Sequence, residues 1–168
     1  NDFSFIKSGI SDSGDVFIVS NFSNIAQFNN QTITSFFTSD AFLVKASKNG
    51  NWDYVKRLGS SGGLSVNDVL CKDEDVILGG TFGNTIFIDS VEIVQSNDNT
   101  PLVLLQFDDD GTFAQYKTIK SIGNVNLFRN VRALLNNKDD KFYALGTFNT
   151  NGIFENDTLY APSNSDFF

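Results

Sequence analysis

Val76-Ile77-Leu78-Gly79-Gly80-Thr81-Phe82 is the stretch that decides the fold, because the chain contains it three times in degenerate form. Val16–Phe22 starts 60 residues before it, and Phe142–Phe148 starts 66 residues after it. Each copy is an apolar run that ends in a small or polar pair followed by Phe, and each follows an acidic turn. A repeat with a period of about 60 residues predicts that the same group of elements recurs along the chain.

The composition of the 168 residues favours strands over helices and over disorder. Hydrophobic residues make up 40% of the chain and charged residues 19%, whereas a disordered chain needs low hydrophobicity and high charge. The 18 Phe residues and the many β-branched residues, together with only 2 Pro, are typical of β-sheets. No long stretch has a helical period, so we predict an all-β protein.

Each repeat is predicted to contain four short strands, separated by turns rich in Gly, Asn and Asp. The predicted strands are 6–10, 16–22, 40–46 and 52–58 in the first repeat, 66–70, 76–82, 102–107 and 112–119 in the second, and 131–135, 142–148 and 166–168 in the third. The connections at 23–38 and 83–100 each carry a short hairpin. The second and third strands of a repeat are apolar on both faces, which predicts that both faces are covered.

The first repeat carries a series of motifs: Gly14-Asp15-Val16, Phe22, Phe28, Ser39-Asp40-Ala41-Phe42-Leu43-Val44-Lys45, Asn49-Gly50-Asn51-Trp52 and Leu58-Gly59. This series resembles the repeat of bacterial seven-bladed β-propellers. That family has a Gly-Asn-Val-Tyr strand, a Gly-x-Phe end, an Asp-Ala-Phe-Val-Lys strand, an Asn-Gly turn, a Trp and a Leu-Gly-Gly. The second repeat departs from the pattern, since Pro101 replaces the Asp and Phe113 replaces the Trp.

The resemblance implies a β-propeller built from blades that are four-stranded antiparallel sheets, of which this chain holds about two and a half. Residues 11–71 form repeat 1, 72–135 repeat 2 and 136–168 a partial repeat 3, while 1–10 are either the end of a preceding blade or a first strand. The chain starts with Asn and stops within a strand, so we expect a piece of a longer protein. The family consists of large secreted or surface-anchored bacterial proteins, usually without assigned catalysis, which implies an extracellular or cell-surface location.

Charge and residue usage exclude several classes of function. The net charge of −8 repels nucleic acid and anionic membranes, and no apolar span is long enough for membrane insertion. The chain has no His, which removes His-based metal sites and His-dependent nucleophilic catalysis. Cys71 is the single cysteine and is expected to be a small buried apolar residue. We therefore expect no catalytic residues and no organic cofactor.

Asp108-Asp109-Asp110-Gly111 is the one candidate metal site, because clustered carboxylates on a tight turn suit Ca²⁺. The spacing differs from that of a calcium-binding loop, and the equivalent turn of the first repeat, Ser47-Lys48-Asn49-Gly50, has no carboxylate. We expect a plain hairpin turn at this position.

Aromatic side chains are candidates for a ligand-binding surface, because their faces pack against the apolar faces of sugars. The candidates are Trp52, Tyr54, Phe36, Phe37 and Tyr116, for which the alternative is packing within or between blades.

Three functions agree with these observations. The first is a non-enzymatic recognition, adhesion or structural spacer module, with a protein or glycan partner and with further blades completing the fold. The second is a carbohydrate-active enzyme, a glycoside hydrolase or lyase, which needs two carboxylates across a cleft. The third is a structural subunit that assembles with another chain by strand addition. We expect the first.

Overall fold

The computed structural model describes residues 4–95, 102–121, 128–136, 142–148, 152–154, 157–159 and 166–167. These residues form several antiparallel β-sheets, which confirms the all-β prediction. No helix able to cross a bilayer occurs in these ranges. Pro101, the acidic turn at 139–141 and Phe168 lie outside the described residues.

The strands follow the predicted order along the chain. They are β1 (Ser4–Ile10), β2 (Val16–Phe22), β3 (Ile25–Phe28), β4 (Gln31–Thr34), β5 (Asp40–Ala46), β6 (Trp52–Ser60), β7 (Leu64–Lys72), β8 (Asp75–Phe82), β9 (Thr85–Ile88), β10 (Val91–Gln95), β11 (Leu102–Asp108), β12 (Phe113–Ser121), β13 (Phe128–Asn136), β14 (Phe142–Phe148), β15 (Gly152–Phe154), β16 (Asp157–Leu159) and β17 (Asp166–Phe167). β2, β5 and β14 have the predicted bounds. β6 continues to Ser60, which the sequence assigned to a flexible crossing, so the turn is confined to 61–63.

Strands pair in chain order within each repeat. β1, β2, β5 and β6 form a first unit, β7, β8, β11 and β12 a second, and β13, β14 and β17 a third. β1 pairs with β2, so it is the first strand of its own unit. The repeat boundary at 71/72 falls inside β7, because β7 pairs along its length with β8.

The short hairpins connect neighbouring units, which the sequence did not predict. The hairpin β9–β10 belongs to the second unit by sequence, but β9 pairs with β6 of the first unit, with Gly59 opposite Phe87. The hairpin β15–β16 of the third unit extends the second sheet in the same way, through β12. Each of these sheets therefore has six strands, and the hairpin β3–β4 forms a two-stranded sheet of its own.

The main core lies between the first and second sheets. Phe17, Leu43 and Leu58 of the first sheet are fully buried there, against residues of the second sheet such as Leu78 and Leu105. Burial of each such side chain stabilises the fold by roughly 1.5–3 kcal/mol relative to exposure. The two units are thus stacked face to face, as apolar strands with two covered faces require.

The opposite face of the first sheet has a smaller core. Phe22, Phe42 and Val44 pack there against Ala26, with other residues of the hairpin β3–β4 alongside. The prediction that β5 is covered on both faces is confirmed, because Asp40 to Lys45 are all buried.

Gly80 shows why the repeated stretch ends in small residues. A Cβ at this position would collide with the backbone carbonyl of Ser65 and would lie 3.1 Å from the Cα of Val66, both in the neighbouring strand β7. Ser20, its equivalent in the first unit, is completely buried. Phe82, two residues on, is 1% exposed, so the repeated Phe fills the core as predicted.

Candidate functional site

A pocket of about 280 Å³ lies between the second sheet and the strands β13 and β14 of the third unit. Its wall is formed by Leu70, Ile77, Leu104, Leu105, Gln106, Gln115, Tyr116, Lys117, Leu134, Tyr143 and Ala144. The apolar residues supply a floor, whereas the polar groups are amides, hydroxyls and one ammonium. This volume is close to the lower end of the range of small-ligand pockets, roughly 300–1,000 Å³.

Gln106 and Gln115 place two amide groups side by side in the pocket wall. They are directly opposite each other on β11 and β12, and the Nε2 of Gln115 donates a hydrogen bond of 2.7 Å to the Oε1 of Gln106. Each amide keeps further hydrogen-bonding capacity, since an amide has two N–H donors and a carbonyl oxygen with two lone pairs. Tyr116, the next residue on β12, is 44% exposed.

The repeat explains why a pocket occurs at this position. Gln106 and Gln115 lie 61 residues after Lys45 and Tyr54, which are likewise opposite each other on β5 and β6. Lys45 and Tyr54 point at the second unit and fill the space between the first two sheets. The replacement of a long Lys and a large Tyr by two Gln residues leaves room between the second and third units.

Lys45 is the polar centre of the first interface between units. Its ammonium is 7% exposed and lies 3.1 Å from the carboxylate of Asp15 in its own unit and 2.5 Å from that of Asp109 in the second unit. Burial alone would lower the pKa of Lys45, but its hydrogen bonds to Asp109 and Asp15 outweigh burial and raise that pKa. The backbone N–H of Lys48, followed by Lys45, lowers the pKa of Asp15. The ammonium therefore neutralises two carboxylates that would otherwise repel each other.

The acidic turn at 108–110 forms a hairpin turn whose side chains have partners within the protein. Asp109 pairs with Lys45, and Asp110 accepts a 2.8 Å hydrogen bond from the backbone N–H of Thr112. That bond, as the first of several causes, lowers the pKa of Asp110. Gly111 closes the turn at a φ of 83°, a conformation that Gly adopts without steric cost. Within the described ranges, no group of three or more acidic or Cys side chains is arranged to hold a metal ion.

Trp52 and Tyr54 lie on opposite faces of β6. A bulge at Asp53 places Trp52 opposite Ala46 and Tyr54 opposite Lys45. Trp52 packs edge-on against Phe28 in the smaller core, at a ring distance of 5.9 Å. The ring of Tyr54 lies directly over Gly111, where an added Cβ would come within 2.8 Å of it, and its buried hydroxyl has no hydrogen-bond partner. Burial, reinforced by the charge of Asp109, raises the pKa of Tyr54.

Phe36 and Phe37 contact neighbouring side chains at the end of the first sheet. The ring of Phe36 is stacked on the guanidinium of Arg57, with the central carbon 3.2 Å from the ring centre, and its backbone N–H donates to Asp40. Phe37 packs against Phe87 of the hairpin β9–β10, at a ring distance of 5.9 Å. Burial raises the pKa of Asp40 and lowers that of Arg57, although each is opposed by the charge of the other.

Of the five aromatic candidates, the structure places Tyr116 in the pocket and the other four in packing contacts between strands or units. The sequence analysis did not identify Gln106, Gln115 or Tyr143. The signal for the two Gln residues was present in the repeat, because they occupy the positions of Lys45 and Tyr54 with shorter side chains. No signal distinguished Tyr143 from the other residues of an apolar strand.

A scan against protein-family models matches no family, and a search of curated proteins finds no significant relative of the chain.

Proposed function

We propose that this chain is a non-enzymatic β-propeller repeat segment of a secreted or cell-surface protein, in which it acts as a recognition or adhesion module. The observation that carries the recognition role is the pocket between the second and third units. It combines the exposed ring of Tyr116 with the paired amides of Gln106 and Gln115. The stacked units act as the rigid spacer that holds this pocket at the surface.

The arrangement of the strands supports the propeller part of the proposal. The first strand of the second unit, β7, packs beside both β1 and β13, the first strands of its two neighbours. In a radial array of blades the innermost strands lie next to one another around the centre, so this proximity is the contact that a propeller needs.

The chemistry of the pocket favours a glycan as the ligand. An exposed aromatic ring offers a flat apolar face to a sugar, and amide groups both donate hydrogen bonds to hydroxyls and accept them. The part of the wall that the structure describes contains no Asp or Glu, so its polar groups are suited to binding rather than to carboxylate chemistry.

Binding to a glycan array tests the proposal. We expect glycan binding by the full chain that falls at least about tenfold in Tyr116→Ala and in Gln106→Ala, since a lost ring contact or a lost hydrogen bond to a ligand costs about 1–2 kcal/mol. Phe36→Ala is the matched control, because it removes an exposed aromatic ring outside the pocket and should leave binding unchanged.

Two results would contradict the proposal. An equal loss of binding in the control variant would place the ligand elsewhere on the surface. Release of reducing sugar that a single Asp or Glu substitution abolishes would show the chain to be a carbohydrate-active enzyme.

A further inference from the structure

β3 is the one described hairpin strand whose outer edge has no strand beside it. β9 and β15 hold the equivalent place in their units, and they pair with β6 and β12. β3 pairs with β4 alone, and the two form a separate sheet.

The hydrogen bonds of β9 identify which backbone groups of β3 are available. The N–H of Asp89 donates to Arg57, and the carbonyl of Thr85 accepts from Ser61, so every second residue of β9 bonds the first sheet. By the 60-residue offset, the backbone groups of Ile25 and Gln27 lie at the free edge of β3. The strand reads Ile-Ala-Gln-Phe and contains no Lys or Pro, the residues that natural proteins use to block an open edge.

The sheet face next to this edge shows a second difference between the units. In the second unit, Val66 is 2% exposed and Leu78 is 1% exposed, because the first sheet covers them. Their equivalents in the first unit are Ile6, which is 64% exposed, and Ile18, which is only half-buried. The exposed face of the first unit thus has the same apolar character as the face that is buried in the second.

We propose that the edge of β3 and the adjacent face of β1 and β2 bind one further repeat unit, which lies outside these 168 residues. Its outer strand would pair antiparallel with β3 in the register that β6 adopts with β9. Its sheet would cover Ile6 and Ile18 as the first sheet covers the equivalent residues of the second unit. The inference rests on the repeat geometry and does not depend on the ligand of the pocket.

The known pairings define the chemistry of the incoming strand. β6 ends in Leu58-Gly59-Ser60 and β12 in Ile119-Lys120-Ser121, so each presents an aliphatic residue followed two positions later by Ser. In the proposed register the aliphatic residue lies opposite Phe28 and the Ser lies opposite Ala26. The Ser matters because Ser60 is completely buried and its hydroxyl donates to the carbonyl of Gly83, just before the hairpin.

A second copy of this chain is a poorer occupant than a further unit. The strands with the required ending are β6 and β12, and in any copy these are already paired with β9 and β15. Association between copies would require one of these pairings to open first.

The first test uses the full chain and a synthetic peptide with the sequence of residues 52–63. We expect the peptide to slow amide hydrogen exchange at Gln27 at least about tenfold, since a paired edge amide opens only when the strand dissociates. The same peptide N-methylated at Gly59, the residue opposite Gln27 in the proposed register, should have no effect. The variant Gln27→Pro should lose the response, whereas Gln27→Ala, which keeps the backbone N–H, should retain it.

The second test supplies the whole unit in covalent form, for the case in which the peptide alone binds too weakly. A copy of residues 4–63 is joined directly ahead of Ser4 of the chain, so that the spacing from Gly63 to the next unit is the native one. We expect protection of the Gln27 amide in the original copy and burial of Ile6, with both lost when Gly59 of the added unit is changed to Pro.

The proposal is overturned if the peptide has no effect and the joined unit folds without protecting Gln27. It is also overturned if the unmodified chain dimerises and Gln27→Pro, but not Gln27→Ala, abolishes the dimer, because the occupant would then be a second copy.

Discussion

The side-chain amide of Asn21 forms two hydrogen bonds with the backbone of Val66, 45 residues away in the next unit. The N–H of Val66 donates to its Oδ1 at 3.1 Å, and its Nδ2 donates to the carbonyl of Val66 at 3.4 Å. Asp68 makes a related contact with the third unit, where it accepts a 2.7 Å hydrogen bond from the N–H of Leu134. Polar side chains therefore join the first strand of one unit to its neighbour, in addition to the apolar core.

Asn21→Ala should lower the free energy of unfolding by about 1–3 kcal/mol, because the buried N–H of Val66 loses its partner. Urea unfolding at neutral pH measures the change. Asn51→Ala is the control, since Asn51 is exposed and its variant should stay within about 0.5 kcal/mol of the parent. Equal effects of the two variants would show that the contact between units contributes nothing.

Phe82→Ala should cost about 3–5 kcal/mol, the usual range for emptying a fully buried aromatic site. Phe82 is 1% exposed in the main core, whereas Phe36 is 58% exposed. Phe36→Ala should therefore cost less than about 1 kcal/mol in the same unfolding experiment. A loss below about 1 kcal/mol for Phe82→Ala would mean that the repeated Phe is not a core residue.

Asp15 should make stability depend on pH in the acid range. Its folded-state pKa is below the ordinary value of 3.8, first because of the backbone N–H of Lys48 and then because of Lys45. Its contribution is complete above the unfolded-state pKa and is lost as the pH falls through the folded-state pKa. The difference in unfolding free energy between the parent and Asp15→Asn should thus be constant near neutrality and shrink below about pH 4. A difference that grows on acidification would contradict this assignment.

Cys71 should be unreactive in the folded protein. Burial, with a smaller contribution from the charge of Asp109, raises the pKa of the thiol to about 12, which leaves little thiolate at pH 8. Alkylation by iodoacetamide should be at least about 100-fold slower than in urea, where the thiol has its ordinary pKa. Equal rates in the two conditions would show that the thiol is exposed.

Calcium should leave the melting temperature unchanged. Asp109 is already paired with Lys45, and Asp110 is bonded to the backbone of Thr112, so both carboxylates would have to give up partners to bind a cation. Thermal unfolding with millimolar calcium and with EDTA measures this. A higher melting temperature with calcium that Asp109→Asn abolishes would establish a calcium site at the turn.

The positions of the strands could be predicted from the sequence because they depend on local patterns. β2, β5 and β14 are apolar runs between turn residues, and their bounds follow from those residues alone. The partner of β9 could not be predicted, because a four-residue strand carries no local signal for pairing with β6 rather than with a strand of its own unit. That choice is made by the packing of Ile86 and Ile88 in the core between the sheets.

The candidate site was only partly predictable for a similar reason. An aromatic residue in a strand looks the same in the sequence whether it is exposed, like Tyr116, or packed over a glycine of the next unit, like Tyr54. The bulge at Asp53, which separates Trp52 from Tyr54, is also a property of strand pairing that the sequence pattern does not show.

The most direct measurement for this account is the pattern of nuclear Overhauser effects between β6 and β9. In the register described, Leu58 faces Ile88 and Ser60 faces Ile86 as non-hydrogen-bonded pairs, whose Cα atoms lie about 4.5 Å apart in an antiparallel sheet. Strong Hα–Hα effects are predicted between Leu58 and Ile88 and between Ser60 and Ile86. Their absence, or effects that join β9 to a strand of the second unit instead, would contradict the exchange of hairpins between stacked repeat units.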